Sequence, residues 1–386
     1  MEGLKKYITF APAKKKKVKS YRYQVKFGMK KSLIALAFGT LGLGIAEFVM
    51  MGILPDVAKD LGISIPTAGH FISAYALGVC VGAPVLTLAR KYPLKHILLV
   101  LVTLIMIGNI CAATAPNYWI LLAARFISGL PHGAYFGVGS IVAERLADKG
   151  KGSEAVSIMI AGMTIANLFG VPLGTSLSTM LSWRATFLLV GIWGIVILYY
   201  IWRWVPHVEG LKDTGFKGQF HFLKTPAPWL ILGATALGNG GVFCWYSYIN
   251  PMLTNVSGFS AESITPLMIL AGFGMVMGNL ISGRLSDRYT PGKVGTAAQA
   301  LICIMLLLIF FLSPYKWTAA ILMCLCTAGL FAVSSPEQIL IIRVAKGGEM
   351  LGAACVQVAF NLGNAIGAYA GGLTVSEGYR YPALTG

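Results

Sequence analysis

The sequence predicts an all-α integral membrane protein, and two observations lead to that fold class. Apolar residues make up 56% of the 386 residues and charged residues only 12%, against roughly 25% charged residues in soluble domains. Apolar segments of about 19 to 27 residues recur along the chain, and each is long enough to cross a hydrocarbon core of roughly 30 Å as a helix. A chain with this composition cannot cover its surface with polar groups in water.

The basic leader, residues 1–31, carries eleven Lys and Arg residues against one Glu, which is +10 of the net charge of +17. We expect a disordered arm that lies on an anionic membrane surface. An equally open alternative is that Met29 is the true start. The remaining positive charge is spread over short loops, so it indicates membrane topology and not nucleic-acid binding.

The first span, Ser32 to Pro55, is apolar except for Glu47. A carboxylate at the bilayer centre costs at least about 2.5–3.5 kcal/mol, so we expect Glu47 to face a protein interior or a water-filled cavity. A secretory signal peptide is excluded because the apolar segment is too long and has no small-residue cleavage pattern. A purely structural Glu remains an alternative to a functional one.

Eleven spans are predicted, six before a polar connector and five after it. This divides the chain into the leader 1–31, an N-terminal six-helix bundle 32–205, a linker 206–227 and a C-terminal bundle 228–386. With the N-terminus in the cytoplasm, 26 of the 31 Lys and Arg residues lie on the inner side, as the positive-inside rule requires. After the first span, the apolar segments lie at about 67–89, 96–115, 118–143, 154–178, 184–205, 228–253, 263–285, 294–312, 317–343 and 350–374.

Two pairs of segments repeat at an offset of roughly 195 residues, which predicts two homologous halves. ARKYPLK from Ala89 corresponds to SDRYTPGK from Ser286, and ANLFGVPLG from Ala166 corresponds to FNLGNAIG from Phe360. A six-span repeat predicts a twelfth span, so we expect the sequence to be truncated at its C-terminus.

The segment GRLSDRYTPGK, between the eighth and ninth spans, contains Gly283, Arg284, Asp287 and Arg288. Its charges could hold one conformation by pairing with other helices, although a solvated turn is the simpler alternative. The segment resembles the signature loop of the major facilitator superfamily. The first-half copy departs from that pattern, because Arg90 stands where the family has an Asp, so we place the gating role mainly in the second half.

The fourth span, AARFISGLPHGAYFG, resembles the superfamily's motif of an Arg followed by glycines. Arg125 lies at about the same membrane depth as Glu47, roughly 10 Å from the outer face. The resemblance implies that the first and fourth spans both line a central cavity. We therefore expect a Glu47–Arg125 pair that breaks when Glu47 is protonated. His132 is either a proton relay or a hydrogen-bonded cavity residue.

The fifth span, AGMTIANLFGVPLGT, resembles the superfamily's antiporter-associated motif. Gly170 and Gly174 allow a neighbouring helix to approach closely, and Pro172 removes a backbone hydrogen bond and favours a bend. Such a contact could seal the cavity against proton leak, and it favours export by exchange over uptake.

The second half and the fifth span supply the polar and aromatic side chains that we expect to line a substrate cavity, which would suit sugars or flat organic molecules equally. An interfacial aromatic belt is the alternative for Trp245 and Tyr248. EFVMMGILP, YSYINPML and FNLGNAIGAY are similar to the sugar-efflux and drug:proton antiporter branch. The predicted substrate residues are Asn167, Trp245, Tyr246, Asn250, Asn361, Asn364 and Glu337.

Together these features predict a major-facilitator-like transporter that exports a small organic solute in exchange for protons. The expected partners are a small-molecule substrate, protons and the lipid bilayer, with no nucleic acid, no cofactor and no metal, in a monomer of the bacterial inner membrane. Proton-coupled uptake, sodium coupling and a non-transporting solute receptor remain alternatives. An enzyme is disfavoured because the sequence has neither an HExxH nor a Gly-x-Ser-x-Gly motif, and its seven Cys residues lack zinc-type spacing.

Overall fold

Eleven long helices make up most of the structure. The computed structural model describes residues 13–386, and it describes side-chain surroundings from residue 30 onward except at residues 65, 66 and 261. Within that part of the chain there is no β-strand. The long helices are α1 Ala13–Leu61, α2 His70–Leu86, α3 Leu94–Ala113, α4 Tyr118–Leu146, α5 Gly152–Met180, α6 Trp183–Trp204, α7 Pro226–Asn255, α8 Ile264–Arg288, α9 Pro291–Leu312, α10 Lys316–Val344 and α11 Glu349–Thr374. Short helical turns lie at Ile65–Ala68, Thr87–Ala89, Gly215–Gly218, His221–Lys224, Ala261–Ser263, Val375–Glu377 and Tyr381–Thr385.

Ten of these helices are long and apolar enough to cross a membrane. The remaining long helix, α4, has 29 residues and lies among them, but it is more polar and carries the buried side chains of Arg125 and His132. The predicted all-α membrane fold is therefore confirmed. α4 can be this polar because it is packed inside the protein and is largely shielded from lipid.

Helix α1 is longer than the sequence suggested at both ends. The helix continues through Pro55 to Leu61, and in the other direction it extends back to Ala13. Residues 13–31 of the expected disordered leader therefore belong to α1, and the remainder of the leader lies outside the described residues. The Lys residues of this segment are good helix formers, which allows the helix of the span to continue through it.

Three of the spans are interrupted near their middle or end. α5 contains a π-helical segment, Ala166–Gly170, and α7 breaks between Tyr246 and Ile249. α10 breaks between Ala332 and Ser334, so that Glu337 lies in the first turn of its second part. Interruptions of this kind leave backbone groups free to serve a binding site, and π-helical segments occur frequently at functional sites.

The helices pack as two bundles with the same internal pairings. In the first bundle α1 packs against α5, α2 against α4, and α3 against α4. In the second bundle α7 packs against α11, α8 against α10, and α9 against α10. The bundles meet where α5 contacts α8 and where α4 contacts α11. The repeated pairing agrees with the homologous halves predicted from the sequence.

A stripe of small residues on α5 faces α1. A Cβ atom at Gly162 would overlap the carbonyl oxygen of Ala37, and Gly170 and Gly174 lie against the side chains of Ile45 and Val49. These glycines therefore allow a close contact within the first bundle. Pro172 lies in the first turn that follows the π-helical segment, where its missing N–H is tolerated best. Whether this contact prevents proton leak stays a prediction.

We predict that Gly162→Ala lowers the free energy of unfolding by about 1–3 kcal/mol, because the added methyl group would force α1 and α5 apart. The measurement is thermal or denaturant unfolding of the detergent-purified protein. Gly233→Ala is the matched control, since a Cβ atom at Gly233 in α7 meets no atom within 4 Å. Equal stability of the two variants would contradict the proposed close packing.

Candidate functional site

Arg125 is the largest buried charged side chain of the first bundle. Its Nη1 donates to the carbonyl oxygen of Ala46 at 2.8 Å, and its Nε donates to that of Phe71 at 3.4 Å. The guanidinium carbon lies 4.5 Å from the ring centroid of Tyr75 and 5.4 Å from that of Phe187. Arg125 therefore connects α4 with α1, α2 and α6, and its Nη2 has no hydrogen-bond partner.

Glu47 lies beside this arginine in the same interior. Its carboxylate interacts electrostatically with Arg125, and its Oε2 atom is buried without a hydrogen-bond partner. Oε2 lies 3.7 Å from Nε2 of His132, while Nδ1 of His132 lies 2.8 Å from the hydroxyl of Tyr75. The structure thus brings together all three predicted proton-coupling residues and adds Tyr75 to them.

The relation between Glu47 and Arg125 differs from a simple ion pair. Within residues 30–386 the two side chains form no ion pair within 4 Å, and the basic side chain that lies within that distance of Glu47 is His132. Arg125 instead bonds to the carbonyl of Ala46, the residue next to Glu47, so the two charges do share one depth. His132 follows Arg125 by two helical turns on the same face of α4, and this histidine, not Arg125, lies within 4 Å of the Glu47 carboxylate.

A small cavity of about 20 Å³ lies where the two bundles meet. That volume holds about one water molecule and is too small for an organic solute. The first bundle contributes side chains from α4 and α5, and the second contributes side chains from α7, α10 and α11. The lining residues are Phe136, Ile160, Met163, Thr235, Asn239, Phe331, Ser334, Glu337, Val356, Gln357 and Phe360.

Of the seven predicted substrate residues, Glu337 lines this cavity. Asn361 and Asn167 each bond to the backbone of their own helix, at Gln357 and Met163. The other four lie elsewhere on α7 and α11. Trp245 is fully buried, and its Nε1 lies 3.0 Å from Sδ of Met252. Asn250 is exposed, and Tyr246 and Asn364 are half-buried.

Glu337 is held by neutral groups alone. Its Oε2 lies 2.9 Å from the hydroxyl of Thr235, and its Oε1 accepts from the amide of Gln299 at 3.2 Å. No Lys, Arg or His is among the residues that line the cavity. Its place in the first turn of the second part of α10 gives the carboxylate partial stabilisation from the helix N-terminus.

Asp287 connects the two bundles at the face that carries the linker. Its carboxylate accepts from the backbone N–H groups of Ser153 and Glu154 at 2.9 and 2.7 Å, and so caps the beginning of α5. Nε of Arg284 lies 3.2 Å from the Glu154 carboxylate, and Gly283 allows α8 to approach Ser157. These contacts hold the second-half loop against α5, and its gating role stays a prediction.

The other predicted gating residues contact different partners. Nε of Arg90 bonds to Asp213 of the linker at 2.7 Å, and Arg288 lies over the ring of Tyr289, 5.5 Å from its centroid. The backbone N–H of Gly215 and the Arg90 guanidinium hold the pKa of Asp213 below its usual value, so this contact stays charged at neutral pH. Arg90 thus ties the end of α2 to the linker.

The sequence did not single out several polar residues of the site. Tyr75 bonds to His132, and Asn239 and Gln357 line the cavity with buried oxygens that lack partners. Gln357 of the second bundle packs against α4 beside Gly133, one residue from His132. All three are polar side chains within apolar spans, and that pattern could have marked them.

With this geometry established, comparison with known proteins decides the family. The model of the Major Facilitator Superfamily matches residues 36–368. The chain belongs to the major facilitator superfamily. The resemblance predicted from the sequence is therefore confirmed, and the protein is a membrane transporter and not an enzyme.

Similar proteins cover most of the chain. AraJ of Escherichia coli strain K12, named as a transporter, is 51% identical over 92% of this chain and 91% of its own length. The inner membrane transport protein YdhP of the same strain is 37% identical over 90% of each chain. A Helicobacter pylori strain P12 protein named for sugar efflux is 28% identical over 92% of this chain and 90% of its own.

Solved structures show the same fold. The proton:xylose symporter XylE superimposes with a TM-score of 0.71 at 14% identity, covering 93% of both chains. The fucose:proton symporter FucP of Escherichia coli gives a TM-score of 0.70 at 15% identity, covering 92% of this chain and 95% of its own. At this identity the likeness extends to the arrangement of helices alone.

We predict that Asp287→Asn accelerates hydrogen exchange at the amides of Ser153 and Glu154, because the charged acceptor that caps α5 is weakened. The measurement is hydrogen–deuterium exchange of the peptide that begins at Gly152. Asp148→Asn is the control, since Asp148 lies at the same face but its carboxylate accepts neither amide. Equal exchange in the two variants would show that Asp287 does not hold α5.

Proposed function

We propose that this protein exports a small organic solute, a sugar-like compound or a drug, in exchange for protons by alternating access. The observation that carries the proposal is the buried carboxylate of Glu47, whose Oε2 lacks a hydrogen bond and lies 3.7 Å from Nε2 of His132. A buried carboxylate without a hydrogen bond is costly while charged, so a change of surroundings would favour its taking up or releasing a proton.

The positive charge of Arg125 would stabilise the ionised form of Glu47. When Glu47 is ionised, the two buried charges compensate each other, and protonation of Glu47 removes that compensation. Arg125 keeps its carbonyl bond to Ala46 and its place over the Tyr75 ring, so it need not move with the proton. The loss of the negative charge on Glu47 would then change its interaction with His132.

His132 would pass that change towards the second bundle. The ring lies 3.7 Å from the Glu47 carboxylate in α1, and the Gln357 side chain of α11 packs against α4 one residue away, at Gly133. A neutral imidazole with Nδ1 bonded to Tyr75 has one other nitrogen, Nε2, which can serve one of these partners at a time. In this proposal a proton on Glu47 alters the contact between the bundles.

Alternating access requires the cavity to open. Its present volume of about 20 Å³ admits no organic solute, and the Asp287 contacts keep α5 and α8 together at the linker face. Breaking those contacts would part the bundles at that face, with the α1–α5 contact retained as a seal within the first bundle. The remaining predicted substrate residues could join the cavity as it widens.

Export is favoured over uptake by the antiporter-like motif of α5 and by the sugar-efflux name of the Helicobacter relative. The symport named for the XylE and FucP structures supports uptake as the second candidate, and a solute receptor is the third. We place the protein in a bacterial inner membrane as a monomer, with the linker face in the cytoplasm. Residues 32–205 would form the N-terminal bundle and residues 228–386 the C-terminal bundle. Positive residues concentrated at that face support the orientation.

We predict that adding tetraphenylphosphonium or arabinose to the detergent-purified protein in weak buffer releases protons, and that Glu47→Gln abolishes the release while solute binding persists. The neutral amide keeps the shape of the carboxylate but cannot ionise. The measurement is the pH change on mixing, together with calorimetric binding. Glu262→Gln, an exposed acid outside the site, is the control.

Three outcomes separate the candidates. Release by the wild type and by Glu262→Gln, but not by Glu47→Gln, supports exchange with Glu47 as the carrier. Binding without proton release in any variant would exclude the antiporter proposal. Proton uptake on binding, followed by solute entry into proteoliposomes along an inward proton gradient, would establish uptake.

A further inference from the structure

Two hydrogen-bond acceptors in the wall of the central cavity have no partner. Nδ2 of Asn239 donates to the carbonyl of Thr235 at 2.7 Å, which fixes the orientation of this amide and leaves its Oδ1 facing away from that bond. Oδ1 of Asn239 and Oε1 of Gln357 are both buried without a partner, and both side chains are more than nine-tenths buried. The carboxylate of Glu337 lines the same cavity as these two amide oxygens.

Three aromatic rings form part of the remaining wall, together with the apolar side chains of Ile160, Met163 and Val356. Phe136 of the first bundle and Phe331 and Phe360 of the second all line the cavity, and the centroids of Phe331 and Phe360 lie 6.4 Å apart. Aromatic faces attract cations, most strongly where water is excluded. The hydroxyl of Thr235 and the amide of Gln299 contact Glu337, and the Ser334 hydroxyl is a further donor in the wall. The carboxylate and the rings, and not a lack of donors, favour a cation over a neutral polyol such as a sugar.

Glu337 has no positive partner in the described part of the chain. Its two contacts are neutral, and no ion pair within 4 Å includes it. A buried carboxylate held by neutral donors alone is stabilised further by a cation that enters beside it. The buried cluster of Glu47, His132 and Arg125 lies on the first bundle, and Arg125 is engaged there with α1, α2 and α6.

We propose that this cavity is a binding site for the positively charged group of an organic cation, with Glu337 as counter-charge, the oxygens of Asn239 and Gln357 as acceptors, and the three Phe rings around the apolar body. The inference rests on the proposed function in using the same cavity, and it selects lipophilic cations over sugars as the solute class. The cavity must widen to admit the solute.

The test measures binding of tetraphenylphosphonium to the detergent-purified full chain by calorimetry, with uncharged triphenylphosphine oxide as the neutral probe. Glu337→Gln should weaken tetraphenylphosphonium binding at least about tenfold, because it removes the buried counter-charge. The neutral probe should not distinguish Glu337→Gln from the wild type. Glu377→Gln, an exposed acid beyond α11, is the matched control and should bind as the wild type does.

A second variant protects the test against misfolding. If Glu337→Gln does not yield folded protein, Phe360→Leu should weaken tetraphenylphosphonium binding more than binding of the neutral probe, because it removes one cation–π contact. Equal affinity of the wild type and the folded Glu337→Gln variant for the cation would overturn the proposal. Glu337-dependent binding of sodium without binding of tetraphenylphosphonium would also overturn it, in favour of an inorganic cation site.

The two proposals can fail separately. Cation binding that depends on Glu337 but releases no proton would support this site and exclude proton exchange. Proton release driven by arabinose and lost in Glu47→Gln, without any cation binding, would support exchange and exclude this site. Retention of cation binding in Glu47→Gln is expected, because Glu47 is not among the residues that line the cavity.

Discussion

The burial of Arg125 is the constraint on which the first bundle depends. A guanidinium inside a membrane protein must find hydrogen-bond acceptors and a compensating charge, since lipid supplies neither. The structure provides both: carbonyl oxygens from α1 and α2, rings from α2 and α6, and the carboxylate of Glu47 nearby. Four helices are thereby held around one positive charge. In this arrangement the ionisation of Glu47 changes the charge balance around Arg125.

From this centre the contacts continue to the second bundle. His132 lies 3.7 Å from the Glu47 carboxylate, and Gln357, which packs against α4 beside Gly133, lines the cavity that also contains Glu337. Two buried acids therefore lie on opposite sides of the bundle interface with different partners. Glu47 has a cation near it, whereas Glu337 has neutral donors alone, and this difference fits a division between a proton site and a solute site.

Much of this architecture followed from the sequence. Apolar length identified the spans, and counting residues from the span ends placed Glu47 and Arg125 at one depth, as the bond to Ala46 shows. The faces of the helices could not be predicted, because every position of an all-apolar span looks alike to a periodicity argument. Trp245 was therefore expected in a cavity, but it is buried against Met252. Asn239 and Gln357, which do line the cavity, were not singled out.

The contact partners of the charged loop residues also could not be predicted from the sequence. Sequence shows that Arg90 and Asp287 occupy equivalent ends of α2 and α8, but only the fold shows that one meets the linker and the other caps α5. Long-range contacts of this kind depend on how the bundles dock. The sequence could indicate that Asp287 accepts from nearby N–H groups, but not that these groups belong to the first turn of α5.

The most direct test of the central claim is a double-mutant cycle on stability with Glu47→Gln, Arg125→Gln and the combined variant, measured by unfolding in detergent. Mutual compensation of the two buried charges predicts that each single variant is destabilised and that the pair is coupled by about 0.5–3 kcal/mol. Coupling means that the second substitution costs less once the first is present. Additive losses, within about 0.3–0.5 kcal/mol, would show that the two charges do not depend on each other and would contradict the account.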